Sequence, residues 1–97
     1  MFHLQNDEPL LAYSLGNRSA CLFRMEMYQD AIHDIQFALN GLHYPRDSVF
    51  KLYERMARSY MALHQPKEAE AVLKAGAKLV KNKEEGQKAS QLMQSLR

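Results

Sequence analysis

The middle of the chain carries three cationic side chains at a spacing that places them on one helix face: Lys51, Arg55 and Arg58. Ammonium and guanidinium groups only donate hydrogen bonds, and a guanidinium can hold both oxygens of a carboxylate at once. These residues therefore predict a binding site for an acidic group. The alternative is a solvated helix face on which Arg58 pairs with Glu54 one turn earlier.

Side chains suited to catalysis or metal binding are scattered along the chain. None of the four histidines lies four residues from another, so no two of them share a helix face at ligand spacing. Cys21 is the single cysteine and has no histidine as a helical neighbour, which favours a buried structural thiol over a nucleophile. We therefore expect no enzymatic activity from this chain alone, no cofactor and no metal site.

The apolar residues that must position the cations recur with a helical period throughout, without strand-like alternation. Four such runs predict four helices, and a fifth near the C-terminus predicts an amphipathic helix that covers the end of the stack. Gly41 suits a helix end, Pro66 suits a first helical turn, and Asn82 suits a stop. The expected fold class is all-α.

Comparison of the chain with itself reveals a repeat of 38 residues. The matched pairs are Leu15 and Tyr53, Leu22 and Tyr60, Tyr28 and Pro66, Ala31 and Ala69, and Ile35 and Leu73. Each copy predicts one antiparallel helical hairpin with small residues where the paired helices cross. The predicted organisation is an N-terminal tail over 1–9, a first hairpin over 10–43, a second hairpin over 44–82, and a linker with a capping helix over 83–97.

The order of bulky, small and apolar residues in each copy resembles the tetratricopeptide repeat over roughly residues 10–81. That repeat has a period of about 34 residues, so the longer period here fits an extended turn over 41–48 between the hairpins. Arg18 and Met56 stand where the repeat usually has leucine, and Gly76 stands where it usually has alanine. The resemblance implies an α-solenoid of two hairpins and a capping helix.

A narrower resemblance concerns the runs LGNRSACLF from Leu15 and YQDAIHDI from Tyr28, followed by Tyr44-Pro45 and by KLYER from Lys51. Together they are similar to the tetratricopeptide segment of SET and MYND domain protein-lysine methyltransferases, particularly the type-four branch. Such proteins carry a methyltransferase core and a zinc-binding finger elsewhere in a longer chain, and neither has a counterpart in these 97 residues. The resemblance implies substrate selection or intramolecular docking as the alternative function.

In the tetratricopeptide repeat the first helix of each hairpin lines a concave groove, and the resemblance assigns eight residues to it. They are Tyr13, Asn17, Ala20 and Arg24 from the first copy and Lys51, Arg55, Arg58 and Ala62 from the second. Asn17, Lys51 and Arg55 match part of the dicarboxylate clamp with which some such domains hold the acidic C-terminal tails of heat-shock chaperones. The clamp's other lysine and asparagine belong to a preceding repeat, which would lie before Met1. The resemblance therefore implies a module that binds a protein or peptide.

Composition and charge limit the remaining partners. Residues 1–43 carry 2 basic and 5 acidic side chains, and residues 44–97 carry 11 and 6, which favours an acidic protein partner over nucleic acid. No apolar run reaches the roughly 18 residues of a membrane span, and the N-terminus lacks the basic start of a signal peptide. We expect a cytoplasmic or nuclear chain that binds no membrane. Because Leu10 and Leu11 lack a covering repeat, we also expect self-association.

Overall fold

A computed structural model describes the backbone of residues 4–41, 44–45 and 48–96, and the side chains of these residues from Leu10 onward. Five helices make up most of this part of the chain: α1 Leu4–Arg24, α2 Tyr28–Gly41, α3 Val49–Ala62, α4 Pro66–Ala77 and α5 Lys83–Ser95. No strand occurs within these ranges. The predicted all-α fold class is therefore confirmed.

The first helix is longer than the sequence predicted. It begins at Leu4, so residues 4–9, which we expected to belong to an N-terminal tail, extend the first hairpin instead. A helix that has already nucleated gains about one backbone hydrogen bond for each added residue, which favours this extension. Of the two leucines that we expected to be uncovered, Leu10 is 67% exposed and Leu11 is partly buried.

The turns that join α1 to α2 and α3 to α4 have the same backbone structure. Glu26 and His64 occupy matching positions of the repeat, and both have a positive φ, of 63° and 61°. The matched hydrogen bonds, each 2.8 Å long, join the amides of Met27 and Gln65 to the carbonyls of Leu22 and Tyr60. This is the Schellman pattern, which ends a helix at a left-handed residue. The 38-residue repeat therefore extends from the apolar positions to the hairpin turns.

The core lies between the hairpins and where the helices of each hairpin cross. Ala31 and Ala69, which the repeat matches, are both fully buried. The larger buried cluster joins the two hairpins and consists of Ile32, Ile35 and Ala38 from α2 with Leu52 and Met56 from α3. Because alanine adds little bulk, the helix axes approach closely at these two positions.

The C-terminal helix α5 packs against the second hairpin, where Leu92 joins a buried cluster with residues of α3 and α4. Asn82 caps this helix, since its side chain accepts a hydrogen bond of 2.9 Å from the amide of Glu85. The Glu85 carboxylate in turn accepts a bond of 3.0 Å from the amide of Lys81. This reciprocal arrangement is close to a capping box. Asn82 therefore starts α5, whereas the sequence suggested that it stops the preceding helix.

Candidate functional site

A groove of about 430 Å³ lies between α1, α3 and α5. Its charged wall consists of five cations, Arg24, Lys51, Arg55, Arg58 and Lys88, and one acid, Glu54. Ala20 and Phe23 complete the wall on the side of α1. The groove is therefore strongly cationic, although the whole chain carries a net charge of only +2.

The groove contains part of the set of residues that the sequence assigned to it. The assigned residues that line it are Ala20, Arg24, Lys51, Arg55 and Arg58, whereas Tyr13 and Asn17 of α1 and Ala62 of α3 are exposed residues that do not. The reason is position along the helix, because the groove is formed by the C-terminal end of α1. Asn17 lies about one turn before Ala20 and Tyr13 lies about two turns before it.

The long connection between the hairpins brings Tyr44 against α1. Its ring covers Gly16 so closely that a β-carbon added there would lie 2.8 Å from the phenol oxygen. The ring of Tyr13 packs against the same ring, with centroids 5.8 Å apart and planes tilted by 54°. Burial raises the pKa of Tyr44, and the positive charge of Arg55 opposes part of that rise. Tyr13 therefore belongs to an aromatic pair outside the groove.

Arg55 lines the groove, but its guanidinium is already bonded to α1. Its Nη1 donates to the carbonyl oxygen of Gly16 over 3.3 Å and to the hydroxyl of Ser19 over 3.0 Å. The buried Ser19 hydroxyl donates to the same carbonyl over 2.7 Å. Burial lowers the pKa of Arg55, although an arginine remains charged at neutral pH. Arg55 thus joins α3 to α1, and part of its hydrogen-bonding capacity is used within the fold.

Two other cations of the groove have acidic partners on their own helix. Arg58 donates to Glu54 over 3.2 Å, so the pair that we considered as an alternative is present. Lys88 lies 3.8 Å from Glu84 on α5. Both pairs have the i, i+4 spacing. The Lys88–Glu84 pair is exposed and contributes little to stability, whereas the Glu54 side chain of the other pair is only 16% exposed.

Arg24 and Lys51 have no acidic side chain within salt-bridge distance in the described part of the chain. Arg24 makes one weak contact, from its Nη2 to the Sγ of Cys21 at 3.9 Å, and Cys21 is exposed, so the expectation of a buried thiol was wrong. Lys51 and Lys88 also line a second cavity of about 220 Å³, whose wall does not include Arg24 or Arg58. The two lysines therefore lie together at one end of the groove.

The sequence did not assign three of the residues that line the groove: Phe23, Glu54 and Lys88. Glu54 carried a signal, because its spacing from Arg58 predicted the pair that it forms. Lys88 carried none, since α5 lies outside the 38-residue repeat and no matched position pointed to it. Its place in the groove follows from how α5 packs on the second hairpin.

The described part of the chain contains no group of three or more histidine, cysteine, aspartate or glutamate side chains arranged to hold a metal ion. Within the same ranges no helix combines the length and the apolar character needed to cross a membrane. Comparisons of the chain with protein-family models, curated proteins and solved structures give no match. The basic groove is thus the feature on which a functional proposal rests.

Proposed function

We propose that this chain is a protein-interaction module that binds an acidic peptide segment in the groove between α1, α3 and α5. The observation that carries the proposal is the groove's charge, with five cations around a single acid. A wall of one sign in a concave surface concentrates partners of the opposite sign and speeds their association. Arg24 and Lys51 offer donors that no acid in the described part of the chain occupies.

A tetratricopeptide-type arrangement of two hairpins and a capping helix is the fold that we propose for this function. The matching hairpin turns at an offset of 38 residues support it, and so does the full burial of the matched alanines Ala31 and Ala69. Solenoids of stacked hairpins form extended concave surfaces that bind partners. The groove lined by α1, α3 and α5 agrees with that use.

An internal acidic segment fits the groove better than the chaperone C-terminal tail that the resemblance suggested. The clamp requires an asparagine and an arginine beside the lysine, but Asn17 does not line the groove. Arg55 already donates to Gly16 and Ser19, which leaves fewer of its donors for a terminal carboxylate. The cations that remain more exposed are suited to acidic side chains along a peptide.

Calorimetric titration of the chain with an acidic peptide tests this function. We expect dissociation constants of about 10 to 100 μM, equivalent to binding free energies of roughly −7 to −5.5 kcal/mol. Binding should weaken as salt is added. Arg58→Ala and Arg24→Ala should weaken binding. Lys74→Ala removes the same charge from α4, outside the groove, and should leave binding unchanged. Equal losses in all three variants would show that only net charge is sensed, and the proposal would fail.

A further inference from the structure

We propose that the groove selects extended segments in which two acidic side chains lie three residues apart. One acid binds at Lys51 and Lys88, and the other binds at Arg58. This inference rests on the proposed function, because it specifies the ligand of the same groove. It predicts a sequence preference, whereas the proposed function predicts only a preference for acidic peptides.

The spacing follows from which cations of α3 are available. Arg55 lies between Lys51 and Arg58 on α3. It is partly buried and donates to Gly16 and Ser19 of α1. Lys51 and Arg58 lie on either side of it and are both exposed. They are seven residues apart, which is nearly two full turns, so they share a face of α3 about 10 Å apart along its axis.

Lys88 strengthens the end of the groove that contains Lys51. Both lysines line the cavity of about 220 Å³ that excludes Arg58, and its wall also contains Lys81 and the acids Glu54, Glu84 and Glu85. Lys88 is held only by a distant pair, since its Nζ lies 3.8 Å from Glu84, whose side chain is 77% exposed. A carboxylate has two acceptor oxygens and can therefore take one donor from each lysine. The first acid of the ligand binds between α3 and α5.

At the other end, Arg58 already holds a carboxylate of the chain itself. Glu54 accepts a hydrogen bond of 3.2 Å from Arg58 and lines the same groove. An incoming acidic side chain replaces Glu54 at Arg58, so one carboxylate is exchanged for another. Glu54 therefore marks the place of the second acid and competes with it.

The geometry of an extended peptide matches this separation. A polyproline II segment advances about 3.1 Å per residue and completes a turn every three residues. Side chains three residues apart therefore point the same way and lie about 9 Å apart, close to the separation of Lys51 and Arg58 along α3. Adjacent acids lie only about 3 Å apart along the axis and point in different directions, so they reach one end of the groove at a time.

Two blocked hexapeptides of equal composition and charge test the preference, acetyl-AEAAEA-amide and acetyl-AEEAAA-amide. Both lack a terminal carboxylate, and both are too short to form a stable helix. We expect the first peptide to bind the 97-residue chain about three- to fivefold more tightly, because it engages a second exposed charge contact. Equal affinities would overturn the spacing while leaving acidic-peptide binding intact. Failure of both peptides to bind would overturn the proposed function as well.

Variants at the two ends of the groove test where the two acidic side chains of the peptide bind. Lys51→Ala and Lys88→Ala should each weaken the spaced peptide about three- to fivefold and change the adjacent-acid peptide less than about twofold, since that peptide keeps the Arg58 end. Glu54→Gln should tighten both peptides, because it removes the competing carboxylate. Lys74→Ala is the matched control and should change neither. Oligothymidylate of six nucleotides bound as tightly as the spaced peptide would overturn the proposal by showing that charge alone is recognised.

Discussion

Arg18 of α1 and Asp34 of α2 form a doubly hydrogen-bonded ion pair, with N–O distances of 2.6 and 2.7 Å. The residues at the matching positions of the second hairpin are apolar. Met56 is buried in the core cluster, and Val72 packs against that cluster. An ion pair in one hairpin thus replaces apolar packing in the other. Arg18, which departs from the repeat's usual leucine, is accommodated because the residue facing it changes too.

This equivalence predicts how the pair responds to substitution. Arg18→Ala leaves the carboxylate of Asp34, a residue only 7% exposed, without its partner, so we expect a lower urea midpoint. The double variant Arg18→Met with Asp34→Val removes the buried carboxylate together with its partner and should recover most of the stability that Arg18→Ala loses, although Arg18 is 63% exposed where Met56 is buried. Urea unfolding followed by circular dichroism measures both. A double variant less stable than Arg18→Ala would show that the two hairpins pack differently here.

Gly76 and Gly86 should respond in opposite ways to replacement by alanine. A β-carbon at Gly76 would lie 2.7 Å from the Cβ of Tyr53, whereas at Gly86 it would meet nothing within 4 Å. Alanine stabilises a helix interior by about 1 kcal/mol relative to glycine, so Gly86→Ala should raise the free energy of unfolding by up to that amount. Gly76→Ala should lower it by about 1 to 3 kcal/mol because α3 must move away. Thermal denaturation of the two variants gives the signs, and stabilisation by both would contradict the close crossing.

The left-handed residues of the hairpin turns offer a stabilising change. Glu26 and His64 adopt a positive φ, in which the β-carbon of a non-glycine residue is crowded by its own backbone. Glu26→Gly and His64→Gly should each raise the free energy of unfolding by about 1 kcal/mol. Chemical denaturation measures the gain. Glu26→Ala and His64→Ala keep the β-carbon and serve as controls that should give no such gain.

Sequence patterning was sufficient for the helices and the repeat, because apolar spacing reports directly on which face of a helix is buried. It was insufficient for the limits of the groove, which depend on how α1 and α3 cross. Tyr44 covers Gly16 from a connection that lies outside the matched pattern, and Lys88 reaches the groove from a helix outside it. Contacts of this kind join segments that no repeat or local spacing relates. The resemblance assigned Tyr13 and Asn17 to the groove by their helix face, but the groove is lined only by the C-terminal end of α1.

We expect ionisation of Tyr44 to lower the stability of the chain at alkaline pH. Burial raises its pKa in the folded chain, so the folded state retains the phenol proton above pH 10, where an unfolded tyrosine loses it. The contribution of the neutral Tyr44 phenol to the free energy of unfolding is therefore complete below about pH 10. It is lost as pH rises from there towards the folded-state pKa. Between pH 8 and about pH 10.5, Tyr44→Phe should lose less stability than the parent chain. Equal pH dependence of the two urea midpoints would show that Tyr44 ionises as freely in the folded chain as in the unfolded one.

Substitutions of Arg55 and Lys51 should affect stability and peptide binding differently, although both residues are cations of the same groove. Arg55→Ala removes the bonds to Gly16 and Ser19 and should lower the free energy of unfolding by about 1 to 2 kcal/mol. The loss stays modest because the Ser19 hydroxyl keeps its bond to the Gly16 carbonyl. Lys51→Ala touches an exposed side chain and should change stability by less than about 0.5 kcal/mol while weakening the peptide with spaced acids.

Arg55→Lys distinguishes the charge of Arg55 from its hydrogen bonds. Lysine keeps the positive charge of the groove but lacks the planar fork of donors with which arginine spans two acceptors. The variant should therefore lose part of the stability that Arg55→Ala loses and should bind the spaced peptide with unchanged salt dependence. Urea unfolding and titrations at two salt concentrations measure these quantities. If Arg55→Lys is as stable as the parent chain and loses peptide binding, Arg55 contacts the ligand directly. The available cations of α3 would then be one turn apart, and the preferred spacing of acids would be shorter than three residues.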